Sequence, residues 1–311
     1  MVHLTGRAEE LRGQRVPFVH ARVVLAERPT SAHPGDEAIV LADGTIEGFV
    51  GGDCAESTVR AQSLTLLDSG ESIVLRISPT AEDPVPGKVT AHNPCLSGGT
   101  LEIFLEPQRP PPLVVVDGDS PIANALAVVG AAIGFEIVRS GHVPQLLGTQ
   151  TLADASAIVV ASHGRDEAAM LEAALRAEVD YVGLVASPKR GAAVVGSLDV
   201  TDDLKVRVVT PAGLDIGAST PEEVALAILA DIVARRRRPS ARSVAERSAD
   251  QQPPSMATDP VCGMTVAATE SSLHLDRSGR RHYFCGTGCL RAFAAEPDRY
   301  AGIDTAAEGQ G

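Results

Sequence analysis

The chain has 311 residues, of which 44% are apolar and 3% aromatic, with no Trp and a net charge of −13. That length suits two or three domains, with cores built from Val, Leu, Ile and Ala, as in parallel sheets buried on both faces. The acidic balance argues against a nucleic-acid partner, and no stretch approaches the roughly 18 consecutive apolar residues of a membrane span.

Residues 1–109 read as an α+β domain. Short apolar runs at 22–26, 38–41, 45–50, 72–77 and 101–105 read as strands, with Asp43-Gly44 as a hairpin turn. A helix is expected over 55–67, with Val59, Leu64 and Leu67 toward a core. Pro110-Pro111-Pro112 then forms a stiff spacer. In 113–238 the runs 113–116, 135–138, 157–161, 181–185 and 206–209 alternate with helix-compatible sequence, which implies a doubly wound parallel sheet. Ser120-Pro121 opens one of its helices. Thr220-Pro221-Glu222-Glu223 is a capping box opening another, whose Val224, Ile228 and Ile232 recur every four residues and whose terminal arginines suit the helix dipole. Residues 239–257 are polar and read as a flexible linker. Residues 258–302 read as a separate small unit, with Tyr283, Phe284, Phe293 and Tyr300 in a mini-core that needs a metal staple.

Five cysteines, an odd and unevenly spaced set, point to reduced thiols in a cytoplasmic chain, not to a disulfide framework. The N-terminus offers no apolar signal segment. Three thiols, Cys262, Cys285 and Cys289, have the spacing C-x22-C-x3-C, which suits Zn²⁺ or Cu(I). The fourth ligand is open, with His282 and His274 as candidates; the bland alternative is three buried structural cysteines. A second constellation is Gly51-Gly52-Asp53-Cys54-Ala55-Glu56, between a strand and a helix. Its glycines let backbone amides approach a ligand, and the helix N-terminus favours an anion and the thiolate of Cys54. A plain tight turn with a small core cysteine would look similar. In the second domain, Gly118-Asp119-Ser120 follows the first strand, but serine replaces the second glycine of a dinucleotide loop, and the second strand ends in Arg139-Ser140 with no acid. That argues against nicotinamide dinucleotide binding. His163 and Lys189 leave later strand ends, where such folds place ligands; Lys189 and Arg190 could hold a phosphate or be solvated loop charges.

The segments Asp43-Gly-Thr-Ile-Glu-Gly-Phe-Val-Gly-Gly-Asp-Cys-Ala-Glu56 and Pro94-Cys95-Leu-Ser-Gly-Gly99 resemble the N-terminal domain of the XdhC/CoxI family of molybdenum hydroxylase maturation factors. Tyr181-Val-Gly-Leu-Val-Ala-Ser187 and Gly213-Leu-Asp-Ile-Gly-Ala-Ser-Thr-Pro-Glu-Glu223 resemble that family's Rossmann-like domain, and the cysteine-rich tail resembles the YHS domain, related to TRASH modules. The Gly-Phe-Val-Gly-Gly-x-Cys-Ala-Glu and Cys-x-Ser-Gly-Gly forms are closer to the subgroup associated with aerobic carbon monoxide dehydrogenase. The resemblance implies a non-catalytic factor that binds molybdenum cofactor and helps sulfurate it or insert it into an apo-hydroxylase subunit. Taken with the reading of the residues above, the candidates are Gly51, Gly52, Cys54, Glu56, Cys95, Ser97, Gly98, Gly99, Gly118, Ser120, His163, Lys189 and Asp215 for the cofactor, and Cys262, Cys285, Cys289 and His282 for a metal. A cysteine desulfurase is a further expected partner, and a homodimer the expected assembly. Two other readings stand beside it: a metal sensor or copper metallochaperone in which the tail is the main actor, and an NAD(P)-dependent oxidoreductase, disfavoured by the degenerate glycine loop.

Overall fold

A computed structural model of the chain describes residues 4–80, 85–93, 99–140, 149–237 and 255–300. The chain divides into two compact units, residues 1–110 with 248–311 and residues 111–247. Among the described residues no helix is long and apolar enough to cross a membrane.

The first unit is built on a six-stranded sheet. Its strands are β1 (Phe18–Ala26), β2 (Glu37–Leu41), β3 (Ile46–Gly48), β4 (Ile73–Ser78), β5 (Lys88–His92) and β6 (Leu101–Gln108), in the order β3-β2-β1-β6-β4-β5. All neighbours are antiparallel except β4 and β5. Alternate residues of β1 and β6 point to opposite faces, and the sheet is covered on both. On one face Phe18 and Ile39 meet Ala8 and Leu11 of α1 (Leu4–Gly13). On the other, Val19, Ala21, Val40, Leu75 and Ile103 pack with Ala55, Val59 and Leu66 of α2 (Asp53–Ser69). The hairpin at Asp43-Gly44 forms as its sequence implies: Gly44 takes φ 83° and the Leu41 N–H reaches the Thr45 carbonyl at 2.9 Å. α2 begins two residues earlier and ends two residues later than the sequence suggests, closing on Gly70 in the left-handed region with its N–H on the Leu66 carbonyl.

The tail belongs to this first unit. Two hairpins, β12 (Met256–Thr258) with β13 (Thr265–Ala267) and β14 (His274–Arg277) with β15 (Arg280–Tyr283), precede a helix, α9 (Thr287–Ala295). The expected linker falls mostly outside the described residues, and its last part, Met256 and Ala257, is strand. The sequence reads the tail as standing apart; the structure instead packs it on α2. Ala267 meets Ala61 and Leu64 with Leu67 and Met256 alongside. The Ser271 hydroxyl donates to the Asp43 carbonyl at 3.0 Å, and the Thr287 N–H to the Asp53 carboxylate at 3.2 Å. Apolar residues on a second face of α2 make this docking possible, and the polar linker gives no sign of it.

The second unit is the doubly wound sheet expected from the alternation. β7 (Leu113–Asp117), β8 (Glu136–Arg139), β9 (Ala155–Val160), β10 (Tyr181–Leu184) and β11 (Val208–Val209) are all parallel, in the order β11-β10-β9-β7-β8. The order reverses at β7 and β9, so the crevice at their C-terminal ends is where such a sheet places ligands. The helix α3 (Pro121–Ala132) is capped by the Ser120 hydroxyl accepting from the Ala123 N–H at 3.1 Å. It covers one face with α8 (Pro221–Arg237), whose Ile228 and Ile232 are fully buried. The capping box forms: Glu223 N–H donates to Thr220 Oγ1, and Thr220 N–H to Glu223 Oε2. The arginines that end α8 pack on the fold, Arg235 pairing with Asp231 at 2.9 Å and lying over the Tyr181 ring, Arg236 over Phe135. The opposite face is covered by Leu152 of α4 (Thr149–Ala153), Met170 and Leu171 of α5 (Glu167–Arg176) and Val194 of α6 (Pro188–Ser197). The run expected as a strand over 206–209 is strand only at 208–209, because the short helix α7 (Asp202–Lys205) caps the approach to it.

Candidate functional site

Gly51 and Gly52 shape the entry to α2. Gly51 has φ 137°, closed to ordinary side chains, and a Cβ there would stand 2.9 Å from that of Ala55. Gly52 is the extended N-cap residue with no side chain to offer, and its carbonyl takes the Ala55 and Glu56 N–H groups. Cys54 therefore sits in the first turn of a 17-residue helix, where the dipole favours negative charge. Around it opens a cavity of about 1110 Å³. Gly52, Asp53, Cys54, Asn93 and Gly99 line it, with Arg28, Thr30 and Ser31 of the loop after β1, which no expected site includes, and with the three tail cysteines Cys262, Cys285 and Cys289. Arg28-Pro-Thr-Ser31 at the end of a strand, carrying a cation and two hydroxyls, was the available signal. Glu56 is not in the cavity lining; it is half-buried, and burial holds its carboxyl above the usual carboxylate range despite Arg60 nearby. Cys95, Ser97 and Gly98 lie outside the described residues.

Gly118, Ser120, His163, Lys189 and Asp215 all follow C-terminal ends of the second unit's strands. Gly118 has φ 116°, and a Cβ on it would stand 2.5 Å from the Ala161 carbonyl oxygen. The Gly118 carbonyl and the Ala123 carbonyl accept from the Arg139 guanidinium, which also bonds Asn124 Oδ1 at 2.9 Å. His163 and Lys189 are exposed. Arg190 is not a free phosphate ligand: it pairs with the buried Glu167 at 2.6 Å and donates to the Val185 carbonyl, while Glu167 also accepts the Gly164 N–H. Asp215 accepts the Gly217 N–H at 3.4 Å, closing its own turn.

In the tail, one ligand atom from each of Asp259, Cys262, Cys285 and Cys289 lies within 4.8 Å of every other. Cys262 Sγ is 3.5 Å and Cys289 Sγ 3.7 Å from Cys285 Sγ. Asp259 is fully buried and shapes this knuckle, its two carboxylate oxygens each accepting a backbone N–H at 2.8 Å, from Val261 and from Cys285. An Asp two residues before an N–H that it accepts is an Asx turn, readable in Asp259-Pro-Val-Cys262. Among the described residues no cation pairs with Asp259. The thiols respond accordingly. Cys262 is lowered, chiefly because Cys285 donates to it. Cys285 is pushed up by that same bond and by Cys54, and Cys289 by burial and by Asp259. The cluster therefore holds one negative sulfur easily and a second with difficulty, and a bound metal cation removes that restriction. The structure places both expected histidine ligands elsewhere. His282 meets Phe293 at a tilt, 4.8 Å between ring centroids, beside Phe284. His274 bonds the Ser272 carbonyl and meets Tyr283. Alternation along β15 puts His282 and Phe284 on the aromatic side, Tyr283 and Cys285 on the thiol side.

Comparison with known proteins follows this architecture. The profile described as the XdhC and CoxI family matches residues 11–78, that of the XdhC Rossmann domain residues 114–232, and that of the YHS domain residues 257–303. A relative from Escherichia coli K12, described as uncharacterized protein YqeB, is 27% identical over 252 residues, 73% of this chain. The chain spans 45% of that relative's length. A solved structure described as a xanthine dehydrogenase from Bacillus halodurans aligns over 76% of this chain and 97% of its own, with 17% identity and a TM-score of 0.36. With both domains of one family in order along it, the chain belongs to the XdhC and CoxI family and carries a YHS domain behind its Rossmann domain.

Proposed function

We propose that the protein is an accessory factor for a molybdenum hydroxylase, holding molybdenum cofactor in the cavity at the N-terminus of α2 and passing it, sulfurated or ready for sulfuration, to the apo-enzyme. The single observation that carries this reading is the cavity of about 1110 Å³ with Cys54 in its wall. Its size accommodates a pterin with its phosphate. Its donor set fits as well: a soft sulfur for molybdenum, Thr30, Ser31 and Asn93 for the pterin's polar edge, and Arg28 with the amides of the helix N-terminus for a phosphate. Asp53, the acid that would oppose an anion there, accepts a hydrogen bond from Thr287. When bound, the cofactor supplies the molybdenum centre that the client enzyme uses. The protein's own residues bind and orient it and keep its reactive face out of bulk water. We further propose that Cys95, Ser97, Gly98 and Gly99 complete the site, that the client is of the aerobic carbon monoxide dehydrogenase kind, and that a cysteine desulfurase and a second copy of the chain are partners. Oxidising the anaerobically purified full chain and measuring the fluorescent pterin released tests the binding step. Roughly one pterin per chain is expected, and much less from Cys54→Ala; none from the wild type refutes the reading.

The tail favours a second role beside the first. Cys262, Cys285 and Cys289 converge, with Asp259 shaping the turn beside them, as thiolate donors suited to Zn²⁺ or Cu(I), which fits metal sensing or copper delivery. An NAD(P)-dependent activity has no comparable support, since Ser120 stands where a dinucleotide loop has its second glycine and β8 ends in Arg139 with no acid for a ribose hydroxyl.

A further inference from the structure

The tail presents three thiols to a metal, and among the described residues the cysteine sulfur nearest to them from outside the tail is that of Cys54, 231 residues from Cys285 in sequence. Cys54 Sγ stands 3.9 Å from Cys285 Sγ. With the 3.5 Å and 3.7 Å separations to Cys262 and Cys289, Cys285 has three sulfur neighbours in one narrow range of distance. Four sulfurs held tetrahedrally at about 2.3 Å from a metal are separated from one another by about 3.8 Å, the edge of the tetrahedron. The three separations straddle that value. The approach is also built in. Gly286 follows Cys285, and a Cβ there would stand 3.2 Å from Cys54 Sγ and 3.3 Å from the Asp53 Cβ, so the thiol lies against bare backbone. The next residue, Thr287, fastens its N–H to Asp53, fixing the knuckle over the first turn of α2. Cys54 and the three tail cysteines share one apolar cluster with Met264 and Val266.

We infer that Cys54 is a ligand of the tail's metal, so that the soft-metal site is a four-thiolate centre assembled from the N-terminal domain and the YHS domain together. The inference rests on reading the tail as a metal site and not on molybdenum cofactor binding. The alternative fourth donor, Asp259, has both oxygens engaged by the N–H groups that shape the knuckle. Its work is to hold Cys262 and Cys285 in place. Cys54 lines the cavity, and so do Cys262, Cys285 and Cys289, so a metal held by the four sulfurs stands in the cavity wall and competes with a cavity ligand for Cys54.

The test uses the full chain, reduced, anaerobic and metal-free, titrated with Co²⁺ alone. Thiolate-to-cobalt charge-transfer absorption grows with the number of coordinating sulfurs. Per bound cobalt, Cys54→Ser is expected to lose about a quarter of the wild-type intensity, the same loss as Cys289→Ser, since each removes one sulfur of four. Equal intensity in wild type and Cys54→Ser, with the loss confined to Cys289→Ser, overturns the inference while leaving the tail as a metal site. A wild-type chain that takes up no cobalt overturns both. Alkylation of the wild-type chain guards against a variant that does not fold. Cobalt should slow modification of Cys54 by iodoacetamide as strongly as that of Cys262 and Cys289, followed peptide by peptide in the mass spectrometer. Protection of the tail thiols with Cys54 as reactive as in the metal-free chain overturns the inference.

Discussion

Ending the chain after Arg237 removes the whole tail and strips its cover from α2. Leu64 is 4% exposed and Ala61 3% exposed in the intact chain, and both pack on Ala267. Returning a leucine side chain to water costs about 2 kcal/mol and an alanine methyl about 0.8 kcal/mol. The hydrogen bonds at Asp43 and Asp53 add little, because water replaces the tail as their partner. Other residues of the first unit keep part of that leucine covered, so a net loss of roughly 2 kcal/mol follows. For a domain of this size that lowers the melting temperature by about 10 °C. Thermal unfolding of the truncated and full-length chains, followed by circular dichroism, measures it; the first unit's transition should fall and the Rossmann domain's should stay. Coincident transitions would mean that the tail's packing contributes nothing to the fold, which is what its polar linker alone suggests.

Three further outcomes follow from single side chains. Asp259→Asn should weaken metal binding by the tail at least tenfold, because the amide presents only one oxygen to the two N–H groups that set Cys262 and Cys285; cobalt titration of the full chain reads it. Gly118→Ala should destabilise the second unit by roughly 2 kcal/mol or more, through its positive φ and its approach to the Ala161 carbonyl, measured by denaturant unfolding. Glu102, bound by Lys88 at 2.5 Å and Arg76 at 2.9 Å, has its carboxyl held below the usual range chiefly by Lys88. Its contribution is present above the unfolded-state value and is lost as pH falls through the folded one. Glu102→Gln should therefore cost on the order of 1 kcal/mol at pH 7 and progressively less below about pH 4, read from urea midpoints across that range.

Local signals in the sequence carried most of the fold. Ser120-Pro121, the Thr220–Glu223 box and the Asp43-Gly44 turn are self-contained devices whose hydrogen bonds form between neighbours, so they read directly. The alternation of apolar runs likewise gave the parallel order of the second unit's strands their character, since burial on both faces leaves a composition that polar-faced strands lack. What did not read was assembly between distant segments. Ala61 and Leu64 look like any apolar helix positions, and nothing local to them names Ala267 as their cover. Cys54 and Cys285 were each singled out, but their meeting depends on how the tail docks. His282 and His274 are open candidates for the fourth ligand in the sequence, yet strand alternation turns His282 to Phe293. Asp259 went unassigned because its role is to accept N–H groups, which composition and spacing do not display.

The claim that the protein delivers molybdenum cofactor is tested most directly by transfer. Full chain loaded with the cofactor is mixed anaerobically with an apo molybdenum hydroxylase, the two are separated by size, and the pterin in each is measured after oxidation. Pterin is expected to leave this chain and appear in the hydroxylase faster than from free cofactor at the same concentration, and Cys54→Ala to lose that advantage. Pterin that stays with the chain, or a hydroxylase that loads equally well from free cofactor, would contradict it.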